Sequence, residues 1–274
     1  MKKISISKIN ELRKKTGIGI IDCKNALEIS NGDINKAVFF LRKKFKNISL
    51  KRSNFHLKEG AILSSLNLDY SMGTIVGISC ETDFLSRSLD FLKFLRTISK
   101  QSLLYHGYDK KEFLNFSCKQ YGYQCIQEMI DYYMGVFREK IELKIFEKIC
   151  SPFTIQYTHN YKIATLVGFS SSLDLNIAKD IAMHVTAMDP ISIEDLPETF
   201  LKEEMEIMKN QIEYKNKSEQ VIKRILDGKK QKLVEEHSLL HQKFIKNHKF
   251  SVKDYLHTHN NHVNILFFRR RTIQ

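Results

Sequence analysis

The chain has 274 residues, of which 42% are hydrophobic and 27% are charged, and its formal net charge is +13. The hydrophobic fraction excludes general disorder, and the length suffices for two or more compact units. The sequence shows neither a signal-peptide-like apolar run nor a stretch approaching roughly 18 apolar residues, so we expect no membrane span. Five cysteines without a C-x-x-C pair favour reduced thiols and a cytoplasmic location.

The positive charge is concentrated at the start of the chain. Residues 1–58 carry fifteen lysines and arginines against four acidic residues. Such a segment suits RNA or an acidic protein surface, although a solvated helical face explains it equally well. RNA-binding modules usually place aromatic rings among their basic residues, and only four phenylalanines lie here. A basic RNA- or ribosome-associated binding protein is therefore one open interpretation.

The first segment predicts three short helices. Ser7 is a candidate cap for a helix that ends at Thr16-Gly17-Ile18-Gly19, and Asp33 is placed to cap the third helix. A unit of this size is too small to form a cleft, and it contains no catalytic constellation. We expect residues 1–46 to form a partner-binding module and residues 47–58 to form a basic linker.

Residues 59–150 begin with a predicted β-hairpin. Its second strand, Thr74–Cys80, alternates like a buried strand and leads through Glu81 into Thr82-Asp83-Phe84-Leu85, which we call the tip. An aromatic ring on a polar loop either contacts a partner or packs locally. We expect helices throughout 110–150 and a helix from Ser88. The apolar stripe expected on that helix is Leu89, Leu92, Leu95 and Ile98.

The strand–turn–strand–helix pattern recurs after residue 150. The stretch Ala164–Ser170 closely matches Gly73–Ser79 in sequence, which predicts two related α+β subdomains with antiparallel sheets. The second copy reaches its helix without a Glu-Thr-Asp-Phe sequence. Because the fold unit does not need the tip, we expect the tip to serve a partner.

Residues 197–247 have the composition of a charged helical hairpin. Apolar residues in 4-3-4 spacing predict an antiparallel coiled coil, inserted into the second subdomain. That subdomain then comprises residues 151–196 and 248–274, and its last strand is expected over 263–268.

Catalytic and metal-binding motifs have little support. Phosphate-cradling glycine loops and a nucleophile elbow are absent from the sequence. His237 and His241 lie four residues apart on a predicted helix, a spacing that a metal-dependent hydrolase could use, but no third ligand is evident. A predicted polar loop contains three further histidines, His257, His259 and His262. We expect no catalytic residue, no metal and no cofactor.

Three separated stretches together resemble the elongation factor Ts family, the bacterial and organellar exchange factors for elongation factor Tu. The first is Leu12–Leu27 (LRKKTGIGIIDCKNAL), followed by Asn31-Gly32-Asp33. The second is Cys80–Leu85 (CETDFL), and the third is Ile181–Val185 (IAMHV), followed by Pro190. Their order and spacing agree with the signatures of the family over nearly the whole chain.

The resemblance implies an α+β fold: an N-terminal module like a ubiquitin-associated domain, two related subdomains and an inserted coiled-coil hairpin. It implies a guanine nucleotide exchange factor, which is not a chemical catalyst. Its partner would be elongation factor Tu, GDP-bound or nucleotide-free, and it would promote GDP release so that GTP rebinds. A membrane or a specific nucleic acid is not implied as a partner. A heterotetramer and a homodimer are both compatible with it.

The same resemblance implies the contact residues. The N-terminal module would dock on the nucleotide-binding domain through Leu12, Arg13, Ile20 and Ile21. The tip would lie beside the Mg²⁺ site and dislocate the ion. His184 would touch a helix near the bound phosphates or, alternatively, be a core residue of its own helix.

Several positions depart from the family pattern. Ile18 replaces the usual alanine, Ser79 the usual asparagine, and Arg138 the glycine that customarily precedes Glu139. The predicted coiled coil has Gly228-Lys229 in place of a Gly-Arg pair. These differences bear on the geometry of partner contacts rather than on the resemblance.

Overall fold

The computed structural model describes residues 4–51, 57–210 and 218–273, and only the backbone of residues 45–51 and 210. The fold is of the predicted α+β class. None of the described helices is long and apolar enough to cross a membrane.

The chain divides into two compact units. The first comprises residues 1–63, 76–147 and 273–274, and the second comprises residues 64–75 and 148–272. The five-part division expected from the sequence is finer than these units and stays a prediction.

Three helices form the N-terminal module: α1 (Ile6–Thr16), α2 (Ile20–Ile29) and α3 (Ile34–Lys51). Ser5 caps α1 in place of the predicted Ser7, because Ser7 already lies within the helix and the Ser5 hydroxyl accepts the N–H of Lys8. Asp33 caps α3 as predicted. This helix continues to Lys51 and covers the first part of the predicted linker, since neither proline nor glycine interrupts it.

The core of the module continues onto α7 (Ile126–Phe137) of the same unit. Leu12 and Leu27 are fully buried between the helices, and Tyr132 of α7 belongs to the same cluster. The Tyr132 hydroxyl donates to the carbonyl oxygen of Thr16 at 2.9 Å. The end of α1 is thereby tied to the rest of the unit.

The first sheet has the antiparallel order β1-β2-β3, with β1 (Glu59–Leu66), β2 (Met72–Cys80) and β3 (Ile141–Cys150). Strand β3 shows that the prediction of helices throughout 110–150 was wrong. Ile141 and Leu143 are buried whereas Glu142 between them is exposed, which is the period of a strand. The spacing of Ile141 and Ile145 also fits a helical face, and this ambiguity misled the prediction.

Four α-helices and a 3-10 turn (Lys119–Tyr121) lie between β2 and β3 within the described residues. The α-helices are α4 (Asp83–Arg87), α5 (Leu89–Leu104), α6 (Lys110–Leu114) and α7. Ser88 caps α5, and Leu95 and Ile98 are buried, as predicted. Leu89 instead is 74% exposed. Leu89 and Ile98 are nine residues apart, about two and a half helical turns, so they lie on opposite faces of the helix.

The second sheet has the order β4-β5-β6, with β4 (Phe153–His159), β5 (Ile163–Phe169) and β6 (Ile265–Thr272). All pairs are antiparallel, with Val167 opposite both Ile155 and Phe268. Helix α8 (Leu175–Met188) follows β5 and packs its buried face on the sheet. Each sheet is thus a hairpin followed by a helix, as the internal repeat predicted, and a later third strand, which was predicted for the second sheet only.

Helices α9 (Glu198–Asn210) and α10 (Glu219–His237) contact each other and flank residues 211–217, where the predicted turn lies outside the described residues. The coiled coil itself stays a prediction. Helix α10 ends well before the predicted boundary at residue 247. Leu239 and Phe244 beyond it are buried in the core of the second unit, which is why the helical pattern stops there.

Helix α11 (Val252–His259) occupies the region predicted as a polar loop. The Ser251 hydroxyl accepts the N–H of Asp254, and the Asp254 carboxylate accepts the N–H of Ser251, which forms a complete capping box. That signal was readable in the sequence. The expected last strand is confirmed as β6, although it extends further, to Thr272.

Candidate functional site: an exposed aromatic tip

The tip follows directly after strand β2. The thiol of Cys80 donates to the carbonyl oxygen of Thr82 at 3.2 Å where the chain leaves the sheet. Thr82 caps the short helix α4, because its hydroxyl accepts the N–H of Leu85 at 3.3 Å. Phe84 lies in the first turn of α4 and is 86% exposed. The ring therefore does not pack locally but is presented to solvent.

Glu139 holds the tip from the neighbouring strand. It lies just before β3, which pairs with β2, so the start of β3 and the end of β2 share one edge of the sheet. Its Oε2 accepts the backbone N–H groups of Glu81 and Thr82 at 3.1 and 3.0 Å, and its Oε1 accepts the Thr82 hydroxyl at 2.5 Å. In return, the Glu81 carboxylate accepts the backbone N–H of Lys140. We call this reciprocal arrangement the carboxylate clasp.

The clasp orients the tip more strongly than Asp83 does. Hydrogen bonds to a charged acceptor are worth about 1.5–3 kcal/mol each, and Glu139 accepts three of them. The Asp83 carboxylate instead pairs with Arg87 at 3.4 Å on the exposed side of α4. Exposed pairs of this kind contribute little. The tip is therefore oriented by Thr82 and Glu139 rather than by Asp83.

A second exposed surface lies on the N-terminal module. Ile20 and Ile21 begin helix α2 with 51% and 72% of their surface exposed, and Arg13 is exposed near the end of α1. We call these three residues the docking surface. Leu12, which was expected beside them, is fully buried on the inner face of α1. It supports this surface from behind and presents nothing to a partner.

Asp22 lies next to the docking surface and is held by two cations. Its carboxylate pairs with Lys44 at 2.7 Å and with Arg138 at 3.1 Å. The hydrogen bond from Lys44 and its charge, followed by the charge of Arg138, hold the pKa of Asp22 below its usual range. Arg138 directly precedes Glu139, so consecutive residues contact the N-terminal module and the tip.

His184 lies inside the second unit and not on its surface. The ring is fully buried and stacks on Phe244 with centroids 5.8 Å apart. The backbone N–H of Ile245 donates to Nδ1 at 3.2 Å, and Nε2 donates to Oε1 of Gln242 at 3.0 Å. Burial lowers the pKa of the imidazole. The core interpretation of His184 fits this geometry, whereas direct contact with a partner near its phosphates does not.

The histidines considered for a metal site do not converge. His237 is the last residue of α10, and His241 lies beyond the end of that helix with Nδ1 3.0 Å from the Ser238 hydroxyl. The helical spacing behind the metal hypothesis is therefore absent. In the described part of the chain, no group of three or more metal-ligating side chains is arranged around a common point.

Comparison with known proteins shows which family the chain resembles. Residues 81–272 match the family model described as elongation factor TS. The elongation factor Ts of Christiangramia forsetii is 34% identical over 98% of this chain and 98% of its own length. The Porphyromonas gingivalis protein of that name is 33% identical with the same coverage, and that of Wolbachia pipientis is 36% identical over 93% and 92%.

The chain belongs to the elongation factor Ts family. As a family member it is a translation elongation factor of the Ts type, with a role in protein biosynthesis. In this elongation factor Ts fold, the tip and the docking surface both lie in the first compact unit, whereas His184 lies in the second. The clasp residue Glu139 lies within the matched region, as does the tip.

Sequence reasoning did not assign a role to Arg138 or Glu139. The segment that follows them was interpreted as a helix, and a helix gives no reason to place Glu139 beside the tip. Recognition of β3 as a strand would have supplied the signal. An acidic residue just before a strand then lies near the end of its antiparallel neighbour, where the backbone N–H groups of Glu81 and Thr82 need acceptors.

Proposed function

We propose that the chain is a guanine nucleotide exchange factor for elongation factor Tu. It binds the GDP-bound factor, promotes release of GDP by disturbing the Mg²⁺ and phosphate site, and allows GTP to rebind. The observation that carries this proposal is Phe84, a large apolar ring that is 86% exposed on a capped and clasped turn. The second copy of the fold unit lacks this tip, so folding does not require it.

Exchange needs no covalent chemistry from the chain. A GTPase holds its nucleotide largely through Mg²⁺ and a backbone cradle around the phosphates. A protein that binds the nucleotide-free state more tightly than the GDP-bound state weakens GDP binding by the same factor. Buried aromatic anchors at interfaces are worth about 2 kcal/mol or more, which corresponds to about thirtyfold in affinity. Phe84 can therefore supply a useful part of the preference if it inserts only when the nucleotide leaves.

The docking surface supports a different task. Ile20 and Ile21 offer exposed apolar side chains at the start of helix α2, and Arg13 adds an exposed positive charge in the last turn of helix α1. Contacts made here act on both nucleotide states and raise affinity without selecting between them. On this proposal the docking surface binds the partner in both nucleotide states, whereas the tip promotes the release of GDP. On this proposal the chain needs no cofactor of its own, is not a chemical catalyst and works in the cytoplasm with its partner.

Substitution Phe84→Ala tests the proposal. Because the ring is exposed, the variant is expected to fold and to dock, yet to lower the maximal rate of GDP release from elongation factor Tu by tenfold or more, about the worth of one aromatic anchor. The measurement is the release of a fluorescent GDP analogue at increasing concentration of the chain.

Phe39→Ala is the matched control. Phe39 is 72% exposed on helix α3 of the N-terminal module, so the same atoms are removed from a surface remote in sequence from the tip. This variant should release GDP at the unmodified rate. Equal release rates for Phe84→Ala and the unmodified chain would refute the role of the ring.

A further inference from the structure

Arg138 and Glu139 are consecutive, yet they hold different parts of the first unit. Glu139 accepts three hydrogen bonds from Glu81 and Thr82 at the tip. The guanidinium Nη2 of Arg138 lies 3.1 Å from Oδ2 of Asp22, the residue that follows Ile21 of the docking surface. Two neighbouring side chains therefore connect the two surfaces that the proposed function assigns to the partner.

The backbone conformation of Arg138 is an unfavourable one for a residue with a side chain. Its φ of 59° ends helix α7 in the left-handed region, which is unfavourable for any residue with a Cβ atom and easy for glycine. The side chain, which is 69% exposed, makes contacts that a glycine could not make. Its guanidinium pairs with Asp22, whose side chain is 17% exposed, and lies so close to Gly19 that an added Cβ there would be 3.4 Å from it.

We propose that Arg138 and Glu139 are positioning residues that set the separation between the tip and the docking surface. The proposal rests on the proposed exchange function. Neither residue needs to touch the partner. Glu139 keeps Phe84 in its exposed orientation. Arg138 adds to the buried contacts of α7 and sets the place of the docking surface relative to the turn that carries Glu139.

The physical advantage is a smaller ordering cost on binding. Once the docking surface is engaged, a tip at a fixed separation meets its site at high effective concentration. A tip on a loose turn, or a module free to move relative to the tip, must first be ordered, and that entropy is subtracted from the binding free energy. Loss of either positioning residue should therefore slow exchange at saturation and leave docking nearly intact.

The first experiment compares Glu139→Ala, Glu139→Gln and the control Glu142→Ala. Glu142 is an exposed carboxylate on β3 beyond the clasp. With elongation factor Tu and fluorescent GDP, Glu139→Ala should lower the maximal release rate about tenfold, the worth of one charge-assisted hydrogen bond. Its half-saturating concentration should change less than about twofold, because docking is retained. Glu139→Gln keeps one acceptor oxygen and should recover part of the rate, and Glu142→Ala should match the unmodified chain.

The second experiment compares Arg138→Gly with Arg138→Lys. Glycine relieves the left-handed backbone and removes the ion pair, so the thermal stability of this variant should be equal to or higher than that of the unmodified chain. Its maximal exchange rate should nevertheless fall severalfold, and Arg138→Lys, which keeps the charge, should recover part of it. If Arg138 had only a structural role, the exchange rate of Arg138→Gly would follow its thermal stability, so a variant at least as stable as the unmodified chain would also exchange at least as fast. That result would contradict the positioning role.

The outcomes separate this inference from the proposed function. If Phe84→Ala slows exchange while Glu139→Ala and Arg138→Gly both match the unmodified chain, the exchange function stands and the positioning role is refuted. If Phe84→Ala has no effect, the proposed role of the Phe84 ring in exchange is refuted. If Glu139→Ala does not fold, Glu139→Gln decides: a rate equal to that of the unmodified chain counts against positioning. In the double variant Phe84→Ala with Glu139→Ala, we expect no slower release than with Phe84→Ala alone.

Discussion

At the scale of single residues, the buried ring of His184 can hold one proton in the folded chain. The N–H of Ile245 donates to Nδ1, so a proton on that atom would face another donor. Nε2 already carries the proton that it shares with Gln242. Protonation would place a charge in the core, and this burial holds the pKa of His184 below its ordinary value of 6.5. The second proton would also displace the hydrogen bond from Ile245.

This gives a signed prediction for stability against pH. Because the folded pKa is lowered, the unfolded chain binds the proton more readily, and the free energy of unfolding falls as pH drops below about 6.5. It should be at its full value above that pH and decline down to the folded pKa. Urea unfolding at pH 7.5 and 5.5 should show this loss in the unmodified chain and a smaller loss in His184→Gln. Equal losses in the two proteins, or an imidazole that titrates in the folded chain near 6.5 by NMR, would contradict it.

The same residue shows what the sequence could tell about the site. Ile181, His184 and Val185 have the spacing of one helical face, so helical periodicity alone favoured a core position. For Leu12 the same argument holds, since it shares the inner face of α1 with Ile9. For Phe84 the break in strand alternation after Cys80 left exposure and local packing open, and the absence of the tip from the second copy of the repeat favoured the exposure that the structure shows. Local pattern thus gave the exposure of these side chains, and the family resemblance alone gave less reliable roles.

At the scale of helices and strands, two glycines differ in the space that a side chain would find around them. A Cβ on Gly60 of strand β1 would lie 2.5 Å from the carbonyl oxygen of Ile78 in β2, a backbone atom with no freedom to move away. A Cβ on Gly228 in the exposed middle of α10 would meet nothing within 4 Å. Glycine is required at the first position and costs helix stability at the second.

We therefore expect Gly228→Ala to raise the free energy of unfolding by about 0.5–1 kcal/mol, the difference in helix propensity. Gly60→Ala should lower it by about 1–3 kcal/mol, as overpacking does. Urea denaturation of the two variants beside the unmodified chain measures both changes. A destabilised Gly228→Ala variant would indicate that the surface of α10 around residue 228 is covered, and a neutral Gly60→Ala variant would contradict the close approach of β1 and β2.

The elements that prediction missed have a common cause. In β3 the apolar residues fit both a strand and a helix over the first five positions, and the deciding information is pairing with β2, which lies far away in the sequence. In α11 the periodic stretch is only eight residues long and rich in histidine, so its capping box was the stronger signal. The strands of the two hairpins and the repeat were predictable because their patterns are sustained and their turns are local.

At the scale of the whole molecule, the net charge of +13 is compatible with binding either to RNA or to an acidic protein surface. A basic RNA-binding protein remains the alternative to an exchange factor, and the two differ in their response to salt. RNA binding through several phosphate contacts should fall steeply, by about 10³-fold or more, between about 50 and 200 mM salt.

We expect the chain to co-purify with elongation factor Tu and to be released by added GDP, because exchange requires reciprocal weakening of the two ligands. In filter binding against bulk RNA, we expect weak retention that disappears at physiological salt. Tight RNA binding with a steep salt slope, together with a failure to retain elongation factor Tu, would favour the alternative. The Phe84→Ala variant should bind RNA as the unmodified chain does, which serves as the control.

The order of helices and strands along the chain was the most predictable property. The side-chain contacts between residues far apart in the sequence were the least predictable. Fold class, the N-terminal helices and the repeat all follow from local periodicity. The clasp joins residues 57–59 positions apart, and the Arg138–Asp22 pair spans 116. Such pairings depend on tertiary placement, which no local pattern specifies.

The carboxylate clasp has a mechanical consequence. When two surfaces are pressed together, the more compliant one deforms. A ring on a flexible loop would be displaced on contact and would leave the structure of its partner unchanged. Here a load on Phe84 passes through Thr82 and Glu139 into the paired ends of β2 and β3, so the stiffness behind the ring is that of a sheet. Deformation should then occur mainly on the other side of the contact, which on the proposed function is the nucleotide site of the partner.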